Sequence, residues 1–122
     1  VNLSFNNFEE ITINNESVEV LLISHNLLKS IHTNDALNQK NVIIILNQLT
    51  TVDFSSNTLL ETLIISGNKL QNINLENNTN LTHLIDLRVD RNPDLTCIKI
   101  LNGQEIPTVS LSDYQELNTM CN

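Results

Sequence analysis

One eleven-residue pattern recurs along this chain and limits its folds more than any other feature. The pattern is aliphatic, any, aliphatic, two of any, Asn, any, aliphatic, two of any, aliphatic. It reads VNLSFNNFEEI at 1–11, LLISHNLLKSI at 21–31, VIIILNQLTTV at 42–52 and LIISGNKLQNI at 63–73. A fifth copy, LRVDRNPDLTCI at 87–98, carries one extra residue after its Asn. The starts at 1, 21, 42, 63 and 87 are separated by 20, 21, 21 and 24 residues. The joining segments repeat as well: VDFSSNTLLETL (52–63) and INLENNTNLTHL (73–84) align position by position, with internal Asn at 57 and 78. The joints after Ile11 and Ile31 are looser, with Glu16 and Ala36 where that Asn would stand.

A unit of this length cannot bury its own apolar face, so neighbouring copies must supply the core by stacking. The bias in composition fits one short unit copied several times. Asn makes up 21 of the 122 residues, Leu and Ile together exceed a quarter, and aromatics are nearly absent. In a strand, successive side chains point to opposite faces. The pairs Val1/Leu3, Leu21/Ile23, Val42/Ile44, Leu63/Ile65 and Leu87/Val89 therefore point into the stack. The following aliphatics, Phe8/Ile11 through Leu95/Ile98, turn the corner beneath them. A chain bending inside a coil strands N–H and C=O groups away from water. An Asn amide has two donors and an acceptor, enough to bond its own bend and the next coil. Asn6, Asn26, Asn47, Asn68 and Asn92 are expected to form such a structural ladder. Alternation at Val52/Phe54 and Ile73/Leu75 predicts a short second strand on the opposite side of the coil. No helical periodicity of useful length occurs before residue 110.

LxLxxNxLxxI resembles the core of the leucine-rich repeat, and the 21-residue period sits at the short, bacterial-looking end of that family. The Asn-rich joints and the ending NPDLTCIKI are similar to repeats of secreted and surface-displayed proteins of Bacteroidetes-type bacteria, where a Cys-bearing terminal segment is also seen. The resemblance covers about residues 1–100. It departs from the pattern in the first two joints and in three extra residues around Ile85–Leu87. The expected fold is mostly β, a right-handed leucine-rich-repeat solenoid of about five 20–24-residue coils with a parallel strand per coil and a disulfide-stapled C-terminal cap.

Residues 1–100 are thus expected to be repeats and 101–122 a capping segment. Asn102-Gly103 signals a tight turn, and IPTVSL could return as a strand. Ser112-Asp113-Tyr114-Gln115 reads as a capping box that opens a short helix to about Met120. Cys97 and Cys121 are the chain's two cysteines, one in the last coil and one near the chain end. That is where a staple closing the solenoid's open apolar end would sit, and a bonded pair implies an oxidising compartment. Two buried free thiols in a cytosolic protein are the alternative, and a zinc site is disfavoured by the scattered His. The opening at Val1, in mid-pattern, reads as a segment cut from a longer protein.

Fourteen Asp and Glu against six Lys and Arg give a formal charge of −8, which argues against nucleic acid and anionic membrane as partners. No apolar run approaches the roughly 18 residues that a membrane span needs. Catalysis finds little support: His25, His32 and His83 share no spacing with a candidate nucleophile, and nothing calls for a cofactor. Among the acids near the last repeat, Asp90 and Arg88 read as an ion pair on one strand face. A calcium site at Asp86 and Asp90, with nearby carbonyls, is the alternative. Asn-x-Ser/Thr at Asn2, Asn15, Asn77 and Asn80 is expected by chance in so Asn-rich a chain.

Function is then expected from the surface that the repeats display in register. Outward positions of the first strand run Asn2, Leu22, Ile43, Ile64, Arg88, then Ser4, Ser24, Ile45, Ser66, Asp90, then Phe5, His25, Leu46, Gly67, Arg91. Phe5, Leu22, His25, Ile43, Ile45, Leu46, Ile64 and Arg88 are the candidate partner-binding face. Leucine-rich repeats commonly bind proteins there, so the resemblance implies a non-catalytic, secreted or cell-surface module that recognises a protein or glycan. The alternative is a spacer or self-associating segment of a larger surface protein, packing through the same apolar face.

Overall fold

The motif's alternation sets one short strand per coil, and stacking turns those strands into parallel ladders. The computed structural model describes residues 1–78 and 84–121 and is a parallel β-solenoid of about five turns. No helix occurs among the described residues. In chain order the strands are β1 (Glu10–Thr12), β2 (Val20–Leu22), β3 (Ser30–His32), β4 (Asn41–Ile43) and β5 (Thr62–Ile64). They continue with β6 (Ile73–Asn74), β7 (Asp86–Arg88), β8 (Cys97–Lys99), β9 (Thr108–Ser110) and β10 (Glu116–Asn118).

The front sheet runs β2-β4-β5-β7-β9, parallel throughout. Its register puts Leu21, Val42, Leu63, Leu87 and Val109 in one inward row, and Leu22, Ile43, Ile64, Arg88 and Ser110 in the neighbouring outward row. A bridge from Asn2 to Leu22 adds the first coil to this face. The rear is the second strand that the joints predict, in two pieces: β1-β3, and β10-β8-β6. The strand expected at Ile73/Leu75 is present as β6, but the one expected at Val52/Phe54 is not: residues 51–54 of the third coil make no strand, and Phe54 plugs the core at that break.

The inward pairs carry the core. Leu21, Ile23, Val42, Ile44, Leu63, Ile65, Leu87 and Val89 are fully buried, as are the corner residues Leu28, Leu49, Leu70 and Leu95. Each such side chain stabilises the fold by about 1.5–3 kcal/mol relative to an exposed one.

The Asn ladder closes the bend after each front strand. Asn47 accepts from the Leu28 N–H (3.1 Å) and donates to the carbonyls of Ile23 (2.8 Å) and Ile45 (3.3 Å). Asn68 repeats this one coil on, with Leu49 N–H (3.2 Å), Ile44 (2.8 Å) and Ile65 (3.0 Å). Asn92 does so with Leu70 N–H (3.1 Å), Ile65 (3.1 Å) and Val89 (2.9 Å). Asn26 bonds Phe8 N–H and the Leu3 carbonyl in the same way. These four are buried, whereas Asn6 is exposed and bonds only the Leu3 and Ser4 carbonyls of its own bend.

A second ladder runs through the joints. Asn57 donates to the carbonyls of Thr33 and Ala36 (3.0 Å each) and accepts from the Thr33 hydroxyl (2.8 Å). Asn78 donates to Phe54 and Asn57 one coil later. The second coil departs from this rear pattern: Thr33, Ala36 and Gln39 stand where the third coil has Phe54, Asn57 and Leu60. Gln39 is fully buried, and neither polar atom of its amide has a partner among the described residues.

The C-terminal segment corrects one expectation. Ser112–Gln115 does form the back-bond of a capping box, with Gln115 Oε1 accepting from the Ser112 N–H at 2.9 Å. No helix follows. Residues 116–118 form β10 instead, paired in parallel with β8. The backbone of β8 offers a ladder of partners, and Leu117 gains packing on the core, so the strand wins over an isolated helical turn. Asn102-Gly103 makes the expected turn, with Gly103 at φ +84°. The strand in IPTVSL is β9, which extends the front sheet. Two glutamines take over the ladders here. Gln104 donates to the Leu75 carbonyl (3.1 Å), and Gln115 donates to the Val89 carbonyl (2.9 Å). Cys97 and Cys121 are joined in a disulfide, with Cα atoms 5.8 Å apart, that ties the segment after β10 to β8.

Candidate binding face

Each outward column of the front face has its own chemistry. In the strand column, Leu22, Ile43 and Ile64 are register neighbours and half-buried, while Arg88 at the end is exposed. Strands in such a sheet lie about 4.8 Å apart, so these aliphatics form one continuous stripe.

The next column is mostly structural. Ser4 Oγ accepts from the Ser24 N–H (3.0 Å), and Ser24 Oγ accepts from the Ile45 N–H (3.2 Å). Ser66 is buried and donates to Asp90 at 2.6 Å, and Ser112 Oγ accepts from the Arg91 N–H at 2.9 Å. The sequence pattern marks Ser4, Ser24 and Ser66 as simply outward and Ser112 as a helix cap, so the serine stitch goes unread there, although Ser at 4, 24, 66 and 112 is its visible signal. Ile45 breaks the stitch. It places an aliphatic group beside the stripe where four other coils place a hydroxyl that bonds its neighbour.

The third column sits where the strand ends, and all five residues adopt the left-handed conformation: Phe5 (φ 59°), His25 (55°), Leu46 (57°), Gly67 (70°) and Arg91 (56°). A side-chain-bearing residue there costs roughly 1–2 kcal/mol relative to its right-handed form. The neighbouring ladder Asn holds the bend closed, and the side chains are thrown outward. Phe5 is 76% exposed and stacks on His25, with ring centroids 4.5 Å apart and planes 8° off parallel. Leu46 is 43% exposed and extends the aliphatic stripe.

The ion pairs at the rim differ from the expected pairing. Arg88 binds Asp86 through Nε and Nη2, both at 3.3 Å, and not Asp90. Residues two apart on a strand share a face, so Asp86 reaches Arg88 directly. Asp90 is engaged by Arg91 Nε (3.2 Å) and by Ser66. The two carboxylates considered for calcium are therefore held by different arginines, and no group of three or more His, Cys, Asp or Glu among the described residues is placed to hold a metal ion. Along the other edge Lys40 pairs with Glu19 at 3.0 Å. That hydrogen bond and charge push the Lys40 pKa up, with Glu61 adding to the effect.

A shallow cleft of about 360 Å³ lies on the rear, lined by Val52, Asp53, Ser55, Asn72, Asn74 and Asn77. Asp53, Ser55 and Asn74 there are spent on turns. Asp53 accepts from both the Ser55 hydroxyl and N–H, which hold its carboxyl below the usual range, and Asn74 accepts from the Glu76 N–H. His25 belongs to the front face and His32 pairs with Glu10 on the rear (3.3 Å), while His83 lies outside the described residues.

The chain thus falls in the class of parallel β-solenoids with buried Asn stacks, compatible with a leucine-rich type of repeat. No protein-family model, curated protein or solved structure matches it.

Proposed function

We propose that this chain is a non-catalytic binding module of the leucine-rich-repeat kind, secreted or displayed at a cell surface, which recognises another protein through its front face. The observation that carries this reading is Ile45. At that position Ser4, Ser24 and Ser66 each carry a hydroxyl that bonds the next coil, so Ser serves the fold there and Ile45 forgoes that bond for an outward aliphatic group. With Leu22, Ile43, Ile64 and Leu46 it makes a contiguous apolar area bordered by Arg88 and Asp86 on one side and His25 on the other. An apolar centre with a polar rim is the anatomy of a protein-binding patch. The disulfide supports an oxidising, extracellular setting. A bacterial origin is supported by the short repeat period, the Asn-rich joints and the ending NPDLTCIKI.

The test separates folding from binding. Ile45→Ser, and Ile43→Asn combined with Ile64→Asn, are compared with the native chain in thermal unfolding and in capture from arrays of extracellular proteins and glycans. The reading expects unchanged unfolding and loss of whatever the native chain retains. Equal capture by native and variant chains would remove the face from consideration, and a strong drop in stability would make these residues core. Retention of glycans rather than proteins would transfer the same face to the alternative ligand.

A further inference from the structure

The front face is chemically palindromic about the third coil. In the left-handed column, Phe5 at one end is matched by Arg91 at the other, His25 by Gly67, and Leu46 stands in the middle. In the strand column Asn2 matches Arg88, Leu22 matches Ile64, and Ile43 is central. In the serine column Ser4 matches Asp90, Ser24 matches Ser66, and Ile45 is central. Reversing the order of the coils therefore lays aliphatic on aliphatic, hydroxyl on carboxylate, guanidinium on aromatic ring, and the ring of His25 on the residue without a side chain.

We infer that the partner of this face is a second copy of the chain, an inference that rests on the proposed binding role of the face. The two copies are related by a two-fold axis lying in the plane of contact, parallel to the front strands and passing over the third coil. Such an axis reverses the coil order while each column meets itself, and in an isologous contact every pairing occurs twice. Leu46, Ile43 and Ile45 then meet their own counterparts at the centre, and Arg91 lies over the exposed ring of Phe5, a cation–π pair. The C-terminal segment that carries β9, with Ser110 and Asp113, extends the front sheet beyond the fifth coil and overhangs the contact.

Shape and charge both suit a copy. The front ladder runs unbroken through five parallel strands that step by about 4.8 Å per coil, and Leu22, Ile43, Ile45, Leu46 and Ile64 on it are half-buried or exposed, so the face is open to meet its like. Both of the chain's arginines lie on this face, each paired with an aspartate, so the face is close to neutral in a molecule of charge −8. Two such molecules repel over most of their surfaces and least across this one. Five coils by six strand positions span about 24 Å by about 20 Å, or roughly 1,000 Å² over both copies. That is the lower limit for a specific interface and describes a weak, reversible dimer.

Sedimentation velocity on the intact chain, from micromolar to near-millimolar concentration, reads this directly. The expected result is a mass that rises from monomer to dimer and no further. Ile45→Asp should weaken dimerisation by on the order of a hundredfold, because the substitution enters the contact twice. Leu46→Cys, treated with a short thiol-specific bifunctional linker, should join copy to copy, whereas Asp53→Cys on the rear should not. A chain that stays monomeric throughout overturns the inference and leaves the binding face to its own variants and unfolding test. A dimer that survives Ile45→Asp, or that links through the rear position, overturns it equally.

Discussion

Cδ2 of Leu46 lies 2.8 Å from the point that a Cβ on Gly67 would occupy, so the side chain of one coil rests on the bare backbone of the next. Gly67 is the one glycine in a column whose other members carry large side chains at the same left-handed φ. Gly67→Ala therefore meets two obstacles, the conformation and the leucine. The leucine end is mobile and can swing away, which leaves the backbone term of about 1 kcal/mol. Thermal unfolding should show that loss, and the Leu46 methyl resonances should move. Unshifted methyls would mean that Leu46 does not lean on its neighbour.

The ladder asparagines should differ by position. Asn68→Ala leaves the Leu49 N–H and the Ile44 and Ile65 carbonyls without partners inside the core, a loss of about 1–3 kcal/mol. Asn6→Ala removes bonds only within an exposed bend and should be close to neutral. Denaturant unfolding of the two variants decides the matter, and equal losses would contradict the burial of the ladder.

Gln39 should be the easiest place to gain stability. Its buried amide has no partner among the described residues, and the third coil fills the equivalent place with Leu60. Gln39→Leu removes an unpaired polar group without changing the volume much, so unfolding should become harder by about 1–3 kcal/mol. A destabilised variant would show that the amide is satisfied by water in solution.

Reducing the disulfide should act locally first. Its closure over a sequence separation of 24 residues is worth roughly 3 kcal/mol in the chain-entropy picture. Hydrogen exchange after reduction should show β10 and β9 losing protection while β4 and β5 keep theirs. Uniform loss across both sheets would mean that the solenoid melts as one unit.

Much of the architecture was legible in the sequence because one chemical requirement is repeated in every coil. A buried bend needs an amide, and Asn26, Asn47, Asn68 and Asn92 occur at constant spacing from aliphatics that must face inward. The misread parts lie where the same requirement is met by other residues. Gln115 carries the rung of the last coil with a longer side chain, and Tyr114 takes the slot where the motif predicts Asn. The local pattern Ser-x-x-Gln then resembles a helix start, and only the pairing partner Cys97–Lys99, remote in sequence, decides against it. The serine stitch was hidden for the opposite reason, since an outward Ser in a strand looks like ordinary surface. Arg88 was assigned to the wrong aspartate because Asp86 and Asp90 are equally spaced from it, and spacing cannot choose between them.

The side-chain rungs all point one way. Asn26, Asn47, Asn57, Asn68, Asn78, Asn92, Gln104 and Gln115 each reach back to the coil before their own. A coil is therefore completed by its successor, and the molecule has a grain. Backbone ladder bonds break on peeling from either side, but peeling from the C-terminal side also strips the amides from buried N–H and C=O groups of the coil left behind, whereas peeling from the other side leaves those amides free to turn to water. Mechanical resistance should differ between the two pulling ends for that reason, and the disulfide lies at the end where the grain makes the stack most vulnerable.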